Sequence, residues 1–264
     1  MTDNHFHFPY TAVAVAAARH AGEVLRRGFD QPFSVIPKTS PHDVVTDYDN
    51  AAEAAAIDLL SSFYPSHSFL AEESGSLEKI DAPVCWIIDP LDGTLNFAHH
   101  IPFFCISIAV AVGSEVNAGV IYQPMLNELF VAERGHGAYL NGKKISVSNV
   151  SDLQLALVST GFPYDSINLR KNNIAELKTI LDSGNPIRII GSAALALAYV
   201  AAGRFDGFWG LNLKPWDVAA GALIIKEAGG YVTHYDGSPH NIFSQTNIIG
   251  TNQLLHRSLL NVLS

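Results

Sequence analysis

A layered fold of the α/β or α+β class is what this 264-residue sequence predicts, and three observations carry the prediction. Apolar residues make up 48% and charged residues 16%, the balance of an ordinary folded globule. Short apolar runs of strand length alternate with longer Ala- and Leu-rich stretches of helical length. Gly- and Asn-containing turns punctuate those runs. The length suffices for one large domain or two medium ones with a substantial core.

The elements follow in order. Residues 9–28 read as an amphipathic helix closing near Arg27-Gly28, and 47–62 as a second helix. Between them QPFSVIPKTSPHDVVTD, with its three prolines and small polar residues, reads as a long mobile loop. SHSFLAEES (66–74) is a short strand ending in acids, VCWIID a buried strand, and CISIAVAVG a third. VNAGVIYQP and NELFVAERG form a strand pair, and Asn141-Gly142 marks a hairpin in YLNGKKI. Beyond residue 150, LALVSTGF is a strand and 168–183 a polar-faced helix. IRIIGSAALALAYVAAGR reads as strand, glycine turn and helix, and DGFWGL as a short strand. WDVAAGALIIKEAGG is a helix stopped by Gly229-Gly230. A soft boundary near 150 separates an N-terminal region, residues 1–150, from a C-terminal region, residues 151–264.

The bulk numbers exclude some functions. A net charge of −9 without any Lys/Arg-rich run leaves no nucleic-acid footprint. No apolar stretch reaches the roughly 18 residues that a membrane span needs. The first Lys or Arg is Arg19, so TAVAVAAA is not a secretory signal. Cys85 and Cys105 lie inside apolar runs and read as buried reduced thiols. A cytoplasmic setting is the resulting expectation.

The chemistry concentrates in WIIDPLDGTLNF, residues 86–97. An apolar strand runs into Asp89 and Asp92, followed at once by Gly93 and Thr94. Two carboxylates delivered by a buried strand cost several kcal/mol unless something positive meets them. No Lys or Arg lies nearby in the sequence, which makes a hard cation the first candidate. Glu72 and Glu73 end one strand, Asp217 opens a helix, and Asp49 sits in DVVTDYD. Oxygen donors without His or Cys at ligand spacing favour Mg²⁺, Mn²⁺ or Ca²⁺. Taken singly, each has a plainer role: Glu72-Glu73 as a solvated turn, Asp217 as a helix cap, Asp92-Gly93 as a turn pair. Their joint occurrence argues for a site at strand ends and helix starts. The adjacent His99 and His100 read as surface residues.

DVVTDYD (43–49), FLAEES (69–74), WIIDPLDGTLNFAHHIPFFCISIAV (86–110) and PWDVAAGALIIKEAGG (215–230) together resemble the inositol monophosphatase family of Mg²⁺-dependent, lithium-sensitive phosphomonoesterases. The resemblance implies an α-β-α-β-α layered sandwich, usually a homodimer. It implies two or three Mg²⁺ ions. Glu72, Asp89 and the carbonyl of Leu91 would hold the first; Asp89, Asp92 and Asp217 the second; Asp49 with Glu72 a weaker third. Residues 1–150 would then carry most of the metal ligands, and residues 151–264 would close the site with Asp217. Glu72 and Thr94, with the bridging Asp89, would activate the attacking water. The N–H groups of Gly93 and Thr94 would hold the phosphate. Gly191, Ser192 and Ala193, with Asp92, Asp217 and Lys38, would complete the substrate contacts.

One position departs from the pattern. Gly210 stands seven residues before Asp217, where inositol-specific members carry a Glu that grips substrate hydroxyls. The expected reaction is hydrolysis of a small phosphomonoester, with inositol 1-phosphate leading. Fructose 1,6-bisphosphate, 3′-phosphoadenosine nucleotides, NADP and histidinol phosphate are the alternatives. A regulatory binding protein that keeps the fold without the reaction is the non-enzymatic one.

Overall fold

The computed structural model describes residues 6–77, 83–163, 173–243 and 246–263. In chain order these form α1 (Thr11–Gly28), β1 (Val35–Ser40), β2 (Asp43–Thr46), α2 (Asp47–Phe63), β3 (Ser68–Ala71), β4 (Gly75–Leu77), β5 (Val84–Asp92) and α3 (Thr94–Ala98). Next come β6 (Cys105–Val112), β7 (Glu115–Gln123), β8 (Glu128–Glu133), β9 (Gly137–Leu140) and β10 (Lys143–Ile145). The remainder comprises β11 (Val158–Thr160), α4 (Ile174–Asp182), β12 (Ile187–Arg188), α5 (Ala193–Ala201), β13 (Gly207–Leu213), α6 (Pro215–Glu227), β14 (Gly230–Thr233), β15 (Thr246–Asn252) and α7 (His256–Leu263).

Two sheets organise the molecule. An eight-stranded sheet has the order β10-β9-β8-β7-β6-β5-β3-β4, and a five-stranded sheet the order β12-β11-β13-β15-β14. Strand alternation separates three cores. Trp86, Ile88 and Ile106 face α1 and α2, burying Ala14, Leu25, Ala52 and Leu60. Ile87, Ala109 and Ile121 face the opposite way onto α5 and α6, which also pack on Phe208, Val232 and Ile248 of the second sheet. Trp209 and Ile249 point to that sheet's far side, against Ile180 of α4 and Leu259 of α7. The result is an α-β-α-β-α sandwich.

The central layer explains its own sequence. Ala194 to Ala201 of α5 and Val218 to Ile225 of α6 are buried without a break, because a sheet covers each side of them. The helices 9–28 and 47–62 and the strand pair around residues 115–133 form as the sequence predicts. Asn141-Gly142 makes the two-residue turn between β9 and β10. The helix expected over 168–183 begins at Ile174, and residues 164–172 lie outside the described segments.

The segment read as a mobile loop is instead an antiparallel hairpin, β1 against β2, with Val35 opposite Thr46 and Pro37 opposite Val44. Its prolines lie in or beside the exposed edge strand β1, where a missing N–H donor is tolerated. β14, β15 and α7 close the second sheet, in a stretch where the sequence offered no clear pattern. Cys105 is buried as expected, whereas Cys85 is only half-buried; both are free thiols.

Candidate metal and phosphate site

β5 delivers Asp89 and Asp92 by a bulge. Asp89 pairs with Ser107 and Asp92 with Cys105, so three steps on β5 match two on β6. In a regular strand, side chains three apart point to opposite faces. The extra residue at Pro90-Leu91 resets the alternation and turns both carboxylates to the α5–α6 side. Leu91 faces the α1–α2 core instead. Proline has no N–H to lose from the ladder at such a point.

Each carboxylate has a defined environment. Asp89 is 1% exposed, and its Oδ1 accepts the Leu91 N–H at 3.0 Å. Burial, then the charges of Glu72, Asp92 and Asp217, push its pKa well above the ordinary range. Burial also raises Asp92, opposed by the Ser192 hydroxyl and the α5 N–H groups; Ser192 Oγ and Ala194 N each donate to Oδ2 at 2.6 Å. Asp217, third residue of α6, accepts the Lys214 N–H at 2.6 Å. Its pKa is raised well above the ordinary value by burial and by Asp92, against that hydrogen bond. Glu72 is raised by burial, with Lys38 opposing.

Lys38 is the cation that sequence proximity could not show. Its ammonium donates to Glu72 Oε1 at 3.0 Å and Glu73 Oε1 at 2.5 Å, across 34 positions of chain. Burial alone would lower its pKa, but Glu72 and Glu73 outweigh that and hold it raised. The two aspartates of β5 have no basic partner among the described residues, whereas Glu72 and Glu73 share Lys38. Lys38 meets the metal-ligand candidate Glu72 rather than standing free for substrate.

Thr94 opens α3 behind Gly93, whose φ of 105° suits only glycine; a Cβ there would sit 3.0 Å from the Phe103 carbonyl. The N-cap glycine gives α3 no side-chain cap, so its first N–H groups suit an anion. Thr94 Oγ1 stands 2.8 Å from Asp49 Oδ1 and 3.0 Å from the Leu91 carbonyl, joining three of the predicted residues directly. Asp49 is fully buried in a capping box at the start of α2, where Thr46 donates its N–H and hydroxyl to Oδ2 at 2.7 and 2.6 Å. Burial raises Asp49 to about 6 despite those bonds.

Gly191, Ser192 and Ala193 form the start of α5. Ser192 caps it by accepting the Leu195 N–H at 3.2 Å, and its own hydroxyl is spent on Asp92. A Cβ on Gly191 would lie 2.7 Å from Asn96 Nδ2, which ties the Phe103 and Ile190 carbonyls together. Gly210 lies in β13, where Leu213 and Phe208 fill the neighbouring space; a Cβ would come within 2.8 Å of Leu213 Cδ1. His99 and His100 are exposed as expected, although His100 Nδ1 also bonds the Phe29 carbonyl at 2.8 Å.

Two contributors escaped sequence reading. Glu53, buried, accepts the Glu73 and Ser74 N–H groups at 2.9 and 2.8 Å and so fixes the turn carrying Glu72. Its signal was the spacing: Asp49 and Glu53 stand four apart on one face of α2, among Ala52, Ala56 and Leu60. Asn96 is the other.

In this arrangement no three acidic, imidazole or thiol groups among the described residues stand close enough together to hold an ion. The reason is visible, since Glu72, Asp92 and Asp217 are each turned onto a protein donor. The donor set nonetheless fits a hard cation. It is all oxygen, and the acids raise one another's pKa values. Lys38 already supplies positive charge on one side.

A five-layer sandwich with a partly buried carboxylate set beside helix N-termini agrees with the metal-dependent phosphatase class, which the family comparisons support. The sequence matches the Inositol monophosphatase family over residues 8–264, and the chain belongs to that family. It is 43% identical over 253 residues to the Nus factor SuhB of Escherichia coli, covering 96% of this chain and 94% of that one. It is 40% identical over 249 residues to an inositol-1-monophosphatase of Mesorhizobium japonicum, covering 94% and 93%. Among solved structures, the extragenic suppressor protein suhB of Bartonella henselae superposes with a TM-score of 0.89 at 41% identity, over 96% of this chain and 97% of that one. An IMPase/NADP phosphatase complexed with Mg²⁺ and phosphate superposes with a TM-score of 0.84 at 25% identity, over 95% and 93%.

Proposed function

We propose that this chain hydrolyses a small phosphomonoester with Mg²⁺, inositol 1-phosphate being the leading substrate. The observation that carries the reading is the β5 bulge, which sets Asp89 and Asp92 on one face with Glu72 and Asp217 within electrostatic reach. Two or three Mg²⁺ ions, held by Glu72, Asp89, Leu91 O, Asp92 and Asp217 with Asp49 at a weaker position, would neutralise phosphoryl charge and acidify water. The chain's own groups do the rest. Thr94, linked to Asp49, and Glu72 orient the attacking water and take its proton. The N–H groups of Gly93 and Thr94 receive the phosphate. Ser192 and the α5 amides fix Asp92 in orientation.

A phosphate-release panel tests this reading. It includes inositol 1-phosphate, fructose 1,6-bisphosphate, a 3′-phosphoadenosine nucleotide, NADP and histidinol phosphate, with and without Mg²⁺. Asp89→Asn and Asp217→Asn should each lower turnover by roughly a thousandfold or more while circular dichroism stays native. Near-normal rates in either variant would refute the assignment. Lithium should inhibit by competing at the carboxylates, and unchanged rates at millimolar lithium would count against it. Gly210 favours weak polyol selectivity, because Leu213 and Phe208 stand where an acceptor would be needed.

A homodimer belongs to the proposal. Ile101, Phe103 and Ile189 are exposed on segments that Asn96 ties together beside α3, and such apolar surface supports it. The description Nus factor, carried by a 43% identical relative, favours a second reading as a regulatory binding protein. Absence of phosphate release across the whole panel would put that reading first. No helix among the described residues is long and apolar enough to cross a membrane.

A further inference from the structure

A cavity of about 360 Å³ opens on the side of α6 away from the carboxylates, between the start of β7, the turn after β8 and the segment 239–242. Its walls are apolar along Ala222, Leu223 and Ile242. Four charged side chains face it. Glu227 accepts the Gly135 and Gly137 N–H groups, both at 2.8 Å, and Arg134 pairs with Glu115 while donating to the Val116 carbonyl at 2.9 Å. Both acids are thus engaged. The ammonium of Lys226, exposed at the rim in the last turn of α6, has neither hydrogen bond nor ion pair among the described residues. His240 is the sharper anomaly: its ring lies against His234, yet both its ring nitrogens are buried without a hydrogen-bond partner among the described residues. A native structure rarely leaves such atoms unpaired unless a water or a ligand meets them.

We propose that this cavity binds a small organic anion, its head group between Lys226 and His240 and its apolar body over Ala222, Leu223 and Ile242. A pocket with an apolar strip beside converging polar groups suits such a ligand. An acidic head is selected because the cavity's acids are committed and its free groups are donors. Burial, with the nearby His234 and Lys226, lowers the His240 pKa to about 3, so the ring enters neutral and donates one N–H. His234 is itself occupied: its Nε2 accepts the Asn241 N–H at 3.2 Å and its Nδ1 bonds the Asn247 carbonyl at 2.9 Å. Lys226 lies in the same helix as Asp217, nine residues on, yet touches none of the proposed catalytic groups.

Benzoate, and its neutral isostere benzamide, are the probes. Calorimetry on the full chain with Mg²⁺ is combined with NMR of the labelled histidine rings. Benzoate should bind in the millimolar range or tighter, shift the His240 ring signals, and bind at least about tenfold tighter than benzamide. Lys226→Met should weaken benzoate by about tenfold with phosphate release unchanged, and His240→Phe should weaken it without unfolding the chain. The proposal is overturned by equal binding of the two probes, by full benzoate affinity in Lys226→Met, by displacement with inorganic phosphate, or by no binding up to about 10 mM.

Discussion

At the scale of single residues, the site depends on side chains whose work is to hold other side chains. Glu53 accepts two backbone N–H groups at the turn that carries Glu72. Glu53→Ala leaves both donors without that partner, at about 1–3 kcal/mol for the half-buried Glu73 N–H and less for that of the exposed Ser74. The expected outcome is a loss of roughly 1–3 kcal/mol in urea unfolding together with weaker Mg²⁺ binding by calorimetry. Unchanged Mg²⁺ affinity would show that Glu72 does not rely on that turn. Thr94 gives a separable test. Thr94→Ser keeps the hydroxyl that reaches Asp49, whereas Thr94→Val removes it. Turnover should fall by about a hundredfold in Thr94→Val and little in Thr94→Ser. Asp89, Asp92 and Thr94 were legible in the sequence because they share one short run with a turn. Glu53 was not, since a lone acid on an Ala-rich helix face reads as solvated until its burial is seen. Nor was Lys38 on Glu72, a contact that hairpin formation brings about over 34 positions.

At the scale of elements, strands position the acids and helix starts receive them. The order of elements was legible, because apolar runs and glycine turns are local signals. The bulge in β5 was written only indirectly, as two aspartates with an odd spacing around a proline, and it decides which face both occupy. The β1–β2 hairpin was missed because β1 is exposed and proline-bearing, the composition of a loop. The start of α5 yields the prediction at this scale. Ser192 both caps the helix and donates to Asp92, so Ser192→Ala removes two interactions at once. Stability should drop by about 1 kcal/mol, read as a lower urea midpoint with unchanged slope. Turnover should drop about tenfold, and Ser192→Thr should recover both. Recovery of stability without recovery of turnover would mean that Asp92 does not depend on this hydroxyl for its orientation.

At the scale of the whole molecule, the carboxylate set makes stability depend on pH and on Mg²⁺ together. Asp89, Asp92, Asp217 and Glu72 are all raised by burial, and Asp49 to about 6. In the unfolded chain the same groups titrate near pH 4. The folded, metal-free protein therefore holds protons that the unfolded chain has released. The stability this confers is fully present below about pH 4 and is lost as the pH rises through the folded values, about 6 for Asp49. A divalent ion reverses the balance, since it binds the ionised carboxylates and displaces their protons. The gain in melting temperature from saturating Mg²⁺ should consequently grow with pH. Near pH 8, ion at a hundredfold excess over its dissociation constant adds about 2.7 kcal/mol, a rise on the order of 5–10 °C for a chain of this length. Near pH 5 the rise should shrink to a small fraction of that, because protons compete for the same oxygens. Calorimetric scans at both pH values, with Mg²⁺ and with EDTA, measure the difference. An equal rise at the two pH values would mean that the ion binds groups other than these buried acids, and Asp89→Asn would then leave the rise intact rather than abolish it.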